Sequence, residues 1–322
     1  MQSTKKYNHI NEIDTIRGVF ILLMVAFHLV YIEQQYPYCK QIVYAFHMPS
    51  FLLISGYLMS IHKGIRHFTR TILLYALPYF LIESAYIAAA SIVPIHEHIK
   101  VFTIEVFTKT LFTHPIGPYW YLQSLIIFGT TYFCIFSINR LSTLSRIILC
   151  GIIIHIISKH VVSCSLYYGL FFFSGVVLRQ SKITFQQFFQ PSFFSPLALL
   201  LLTINQTNLK SGTVAQIFIA YLSISTTLLF IKACGPFVNR QINFIGRNTL
   251  PIFLFSPIFT FACKALTPYF LFDPTGILYL VLSLTLCTAG SLFIANILDD
   301  THLSTIFFTK PFFPKIPRKQ AN

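Results

Sequence analysis

Ten stretches of this 322-residue chain are apolar over about the length a helix needs to cross the hydrocarbon core of a bilayer. They fall near residues 16–32, 42–61, 71–93, 118–137, 146–160, 165–179, 193–206, 214–234, 248–266 and 277–298, the fifth, sixth and seventh being short. In lipid the backbone must satisfy its own hydrogen bonds, and a long uniformly apolar run does so as a helix. Charged residues make up only 10% of the chain, whereas a soluble domain has about a quarter. The expected fold class is therefore all-α: a multispanning membrane protein of about ten transmembrane helices.

The basic residues give the orientation. With the N-terminus inside, seventeen of the 23 Lys and Arg residues fall on inner segments, which favours both termini cytoplasmic. The net charge of +14 is then a topology signal, and nucleic acid is not an expected partner. Lys5 and Lys6 precede a first apolar stretch that holds Arg17 and has no small-residue cleavage site, so that span is expected to be retained. Residues 1–310 read as one integral-membrane domain, followed by a basic, proline-broken cytoplasmic tail at 311–322 suited to a membrane surface. The longest outer connection, about 94–117, is expected to form a short interfacial helix or lid. His96 and His98 within it read as solvated residues, and no metal is expected. The seven cysteines show no metal or redox spacing and read as packing residues. No internal repeat of the transporter kind is visible.

Ionisable residues inside apolar runs are costly, and usually paired, cavity-facing and functional. The first stretch carries Asp14, Arg17 and His28. If it is one helix, Arg17 and His28 return to within about 20° of the same face, with His28 about 16 Å deeper. Asp14 and Tyr31 then lie on the same stripe. In the second stretch His47 lies beside Pro49, which cannot donate to the carbonyl of Ala45 and so frees an acceptor. Glu83 is the carboxylate well inside the third stretch, suited to pair with Arg or His or to orient the His28 ring. Lys63, Arg66 and Arg70 form an inner basic cluster able to hold the phosphates of a cofactor as well as to set topology. Tyr119 and Trp120 open the fourth stretch on the outer side, as an interfacial aromatic belt or a platform for a sugar ring.

Together these residues resemble the integral-membrane acyltransferase family 3. The matching features are Ile-Asp-x-x-Arg-Gly with Arg17 and His28 separated by ten intervening residues, Phe-His-Met-Pro at 46–49 followed by Phe51, Ser55 and Gly56, and a basic stretch leading to Pro78-Tyr79. Trp120-x-Leu122 and the late Gly-Arg-Asn-Thr-Leu at 246–250 complete them. The Phe-His-Met-Pro form is most similar to the fucose 4-O-acetylase-like branch. Two departures stand out: Ser256 where relatives often carry His, and Pro251 within the late segment. The resemblance implies transfer of acetyl from cytoplasmic acetyl-CoA to a hydroxyl of a cell-envelope glycan, such as O-antigen, capsule or exopolysaccharide, or to its lipid-linked precursor. It implies the bacterial inner membrane as the location. In that reading His28 and His47 are catalytic. His28 acts as general base or is transiently acylated. Arg17, Lys63, Arg66 and Arg70 bind the donor, with Arg17 also able to stabilise charge at the reacting carbonyl. Asp14, Glu83, Tyr119 and Trp120 face substrate. The competing reading is a multispanning glycan flippase without catalytic activity.

Overall fold

The computed structural model describes residues 11–61, 64–92, 99–161 and 165–313. Among these residues every regular element is helical and there is no strand. The helices are α1 (Asn11–Ala26), α2 (Val30–Gln35), α3 (Pro37–Leu58), α4 (Ile65–Ile92), α5 (Ile104–Phe112), α6 (Trp120–Phe136), α7 (Thr143–Ile157) and α8 (Leu166–Gln180). After them come α9 (Phe185–Phe188), α10 (Ser195–Ile204), α11 (Val214–Ala233), α12 (Pro236–Arg247), α13 (Thr249–Cys263), α14 (Ile277–Asp300) and α15 (Leu303–Phe307).

Each of the ten apolar stretches carries a helix. Four helical segments among the described residues are long and apolar enough to cross a membrane: α4, α11, α13 extended by its 3₁₀ turn to Phe270, and α14. Only 22% of the apolar window of α4 and of α14 is buried against protein. Their exposed residues are apolar, including Leu73, Leu77 and Leu81 on α4 and Val281, Leu286 and Phe293 on α14. Water does not favour such a surface, and lipid does.

The first stretch is not one helix. α1 stops at Ala26, the chain turns through Phe27–Leu29, and α2 begins at Val30. The turn shows in the hydrogen bonds. The Met24 carbonyl accepts from both the His28 backbone N–H (3.2 Å) and its ring Nδ1 (2.7 Å), while the Leu29 N–H closes a tighter bond to Ala26. His47 makes the same i−4 ring bond inside α3, which continues, so what marks this turn is the shift to i−3 backbone bonding at His28 and Leu29. Tyr31 therefore belongs to α2, and the stripe expected from Asp14 to Tyr31 ends at His28. By contrast α3 runs through Pro49 without ending. The outer connection does contain a short helix, α5, whose N-cap Thr103 accepts from Val106 N–H at 3.1 Å. His96, His98 and Lys63 lie outside the described residues, as does the tail beyond Phe313. Ahead of α14, the Thr275 hydroxyl and the Leu278 N–H both donate to Asp273 and hold its carboxyl below the ordinary range.

The chain forms two compact units. One comprises the residues before Phe51 with Gln186–Ala289, and the other Phe51–Phe185 with the residues from Gly290 on. In the first, α1 lies along α12, and both carry a glycine where the backbones meet. A Cβ on Gly18 would stand 2.3 Å from the Ile242 carbonyl oxygen, and one on Gly246 only 1.7 Å from that of Asp14. Real Cβ atoms do not approach backbone oxygen so closely, so this crossing requires glycine. Phe20 and Phe46 pack beside it at 5.1 Å.

The second unit repeats the device between the end of α3 and α8. A Cβ on Gly56 would lie 2.1 Å from the Phe172 oxygen, and one on Gly175 2.0 Å from the Leu53 oxygen. Phe68 and Phe133 stack at 3.9 Å between α4 and α6. Gly175→Ala is expected to separate α3 from α8 and destabilise the protein by about 1–3 kcal/mol, the usual range for overpacking. Thermal unfolding of the purified variant measures this, and an unchanged Tm contradicts the close crossing.

Candidate functional site

The chemistry of the first unit gathers at two places on α1. At its N-terminal end, Asp14 is buried and faces two guanidinium groups. Its Oδ2 accepts from Arg247 Nε at 3.2 Å, and Arg17 Nη1 lies 3.8 Å from its Oδ1. Arg17 Nη2 also donates to the Thr249 hydroxyl at 2.5 Å. Beside them Thr15 donates to Asn243 Oδ1 at 2.6 Å.

The late segment Gly246-Arg247-Asn248-Thr249 thereby acquires a physical reading. Gly246 lets α12 press against the Asp14 backbone. Arg247 then reaches the Asp14 carboxylate. Asn248 leaves helical geometry and donates to the Phe244 carbonyl at 2.8 Å, which divides α12 from α13. Thr249, freed at the new helix start, receives Arg17. The sequence shows Arg247 only as part of the late segment and gives it no role. No local spacing connects it to residues more than two hundred positions earlier.

The second place is the turn after α1. A carbonyl only accepts, so the 2.7 Å contact between His28 Nδ1 and the Met24 oxygen makes Nδ1 the protonated nitrogen. His28 Nε2 is then the nitrogen with the lone pair. His47 repeats the arrangement on α3, with Nδ1 donating to the Val43 carbonyl at 2.8 Å. Tyr44 stands between the two rings, its centroid 5.7 Å from His28 and 5.1 Å from His47. Its hydroxyl donates to the Phe27 carbonyl at 3.3 Å, tying α3 to the turn. His47 is 2% exposed and His28 half-buried, so His28 is the more accessible ring. His28 is oriented by a carbonyl of the last turn of α1, the role that the sequence offers to Glu83.

The remaining expected residues belong to the second unit. Glu83 is fully buried on α4 and accepts the Ile116 N–H at 2.7 Å, which ties down the connection preceding α6. Tyr119 is buried and packs edge-on against Tyr86 at 5.6 Å. Trp120 is half-buried and stacks on Tyr168 of α8 at 4.5 Å, a partner the sequence did not suggest. Ser55 lies 2.8 Å from the Tyr121 hydroxyl. Arg66 and Arg70 are exposed one turn apart on the first two turns of α4.

No curated protein and no solved structure matches the chain. A family model described as an acyltransferase domain, that of acyltransferase family 3, matches residues 10–296. That span takes in both places on α1 and the segment around Arg247, and the chain belongs to acyltransferase family 3.

Proposed function

We propose that the protein is an O-acetyltransferase that moves acetyl from cytoplasmic acetyl-CoA to a hydroxyl of a cell-envelope glycan or its lipid-linked precursor. The proposed setting is the bacterial inner membrane, with both termini cytoplasmic. The Phe-His-Met-Pro segment supports the fucose 4-O-acetylase-like branch.

The observation that carries the reading is the fixed tautomer of His28. Its Nδ1–H is committed to the Met24 carbonyl, which leaves Nε2 to take the proton of a sugar hydroxyl. The hydroxyl oxygen then attacks the thioester carbonyl, the C–S bond breaks, and the coenzyme leaves as thiolate. The proton on His28 returns to that sulfur, so the products are the acetyl ester and free thiol. The Met24 carbonyl stabilises the transient imidazolium because its bond to Nδ1 strengthens as the ring becomes charged. His47 acts as a positioning residue that holds Tyr44 against His28.

Arg17 stands near the N-terminal end of α1 and His28 in the turn beyond its C-terminal end, a separation suited to a pantetheine arm between phosphates and thioester. Arg17 is therefore assigned to phosphate, and Lys63, Arg66 and Arg70 are assigned to donor capture on the same electrostatic ground. Trp120, backed by Tyr168, offers a flat aromatic surface for the acceptor sugar, with Tyr119 next to it in the chain and Glu83 holding the connection that leads to it.

Binding of labelled acetyl-CoA to the protein in nanodiscs tests the donor assignment. Saturable binding competed by free coenzyme A is expected. No binding at millimolar donor favours the flippase reading, since a glycan carrier has no use for that ligand.

A further inference from the structure

We infer that Arg247 is a second anion-binding residue of the donor site, and that Asp14 is the positioning residue that sets Arg247 and Arg17 side by side. The inference rests on the donor reading above and goes beyond it, because it adds a residue and changes the role of Asp14 from substrate contact to internal clamp.

Three observations carry it. The first is charge. One buried carboxylate faces two guanidinium groups, so the cluster keeps a net positive charge after internal pairing. A purely structural ion pair needs only one arginine.

The second is exposure. The Asp14 side chain is 8% exposed, whereas that of Arg17 is 27% and that of Arg247 is 54% exposed. The negative group is withdrawn and the positive groups are presented. Arg247 gives its Nε to Asp14, and its fork retains further donors for an oxyanion.

The third is construction. Gly246 brings the α12 backbone against that of Asp14, and Thr249 fixes Arg17 from the other side. The two arginines come from helices joined by backbone contact and are not on flexible loops. A pre-organised pair of guanidiniums recognises a group bearing more than one negative charge, such as a diphosphate, better than two independent lysines do. Phe244, exposed one turn before Arg247 on α12, adds an apolar face beside the cations.

Lipid headgroups are the other source of phosphate at a membrane. The test therefore uses nanodiscs of neutral phosphatidylcholine and, separately, of anionic phosphatidylglycerol. Acetyl-CoA and adenosine 3′,5′-bisphosphate are the probes, applied to wild type, Arg247→Gln, Arg247→Lys and Asp14→Asn. In neutral nanodiscs, Arg247→Gln is expected to weaken acetyl-CoA binding about tenfold, with Arg247→Lys recovering only part of it because a point charge replaces the fork. Asp14→Asn, with the side-chain shape preserved, is expected to raise the donor KM more than it lowers kcat.

Unchanged affinity of Arg247→Gln in neutral nanodiscs overturns the inference while wild-type binding still supports the donor reading. A loss seen only as weaker association with phosphatidylglycerol overturns it in favour of a headgroup site. Failure of wild type to bind either probe removes the donor reading itself. A purely structural Arg247 lowers Tm without changing the KM of the folded fraction, and that result also overturns the inference.

Discussion

His28→Ala is expected to lower acetyl transfer by about 10²- to 10⁴-fold, the range associated with loss of a general base. Membrane insertion should be intact, because a neutral residue replaces a neutral ring in a turn between helices. Donor binding should change little, since the arginines proposed to hold the phosphates lie at the other end of α1. The expected signature is therefore a fall in kcat with a nearly constant donor Kd. Labelled acetyl-CoA supplied without acceptor should leave no label on the wild-type protein. Label retained on His28 would make it a nucleophile, and full activity of His28→Ala would remove it from the chemistry. His47→Ala is the companion variant. It removes the ring behind Tyr44, so its effect should be smaller.

Gly246→Ala is expected to have the largest effect on the folded state. Its new methyl would stand 1.7 Å from the Asp14 carbonyl oxygen, and the obstacle is backbone that cannot rotate away. Either α12 moves off α1 or the variant fails to fold. Overpacking of this kind destabilises by about 3 kcal/mol or more, so a drop of several degrees in Tm is expected. Donor affinity should fall with it, because separation of the helices takes Arg247 away from Asp14. Gly18→Ala strains the same crossing at Ile242, where the gap is 2.3 Å, but does not lie beside Arg247. Gly18 adjoins Arg17, so the two variants disturb the paired cations from the two sides of the crossing. A stable Gly246→Ala protein with wild-type affinity would contradict both.

The all-helical class was legible because long apolar runs with few charges permit little else. Arg17 and His28 were legible because each is expensive where it stands. What the sequence hid was non-local or too small for periodicity. The end of α1 at Ala26 is a local switch from i−4 to i−3 backbone bonding at His28 and Leu29, and no hydrophobic pattern reports that. The partnership of Asp14 with Arg247 spans most of the chain and depends on Gly246, whose missing side chain signals only that something approaches closely. Trp120 was visible as the single tryptophan, but its stacking on Tyr168 requires the packing of α6 near α8. Glu83 was correctly singled out as a buried carboxylate, while the group it holds is a backbone N–H outside its own helix.

Mass spectrometry of the host's surface glycan tests the central claim most directly. A deletion strain is complemented with wild-type protein or with His28→Ala at equal protein levels. The account predicts an acetyl ester present with wild type and missing with His28→Ala, on a glycan otherwise complete. Glycan that disappears from the surface on deletion, or an acetyl group that persists with His28→Ala, would contradict it.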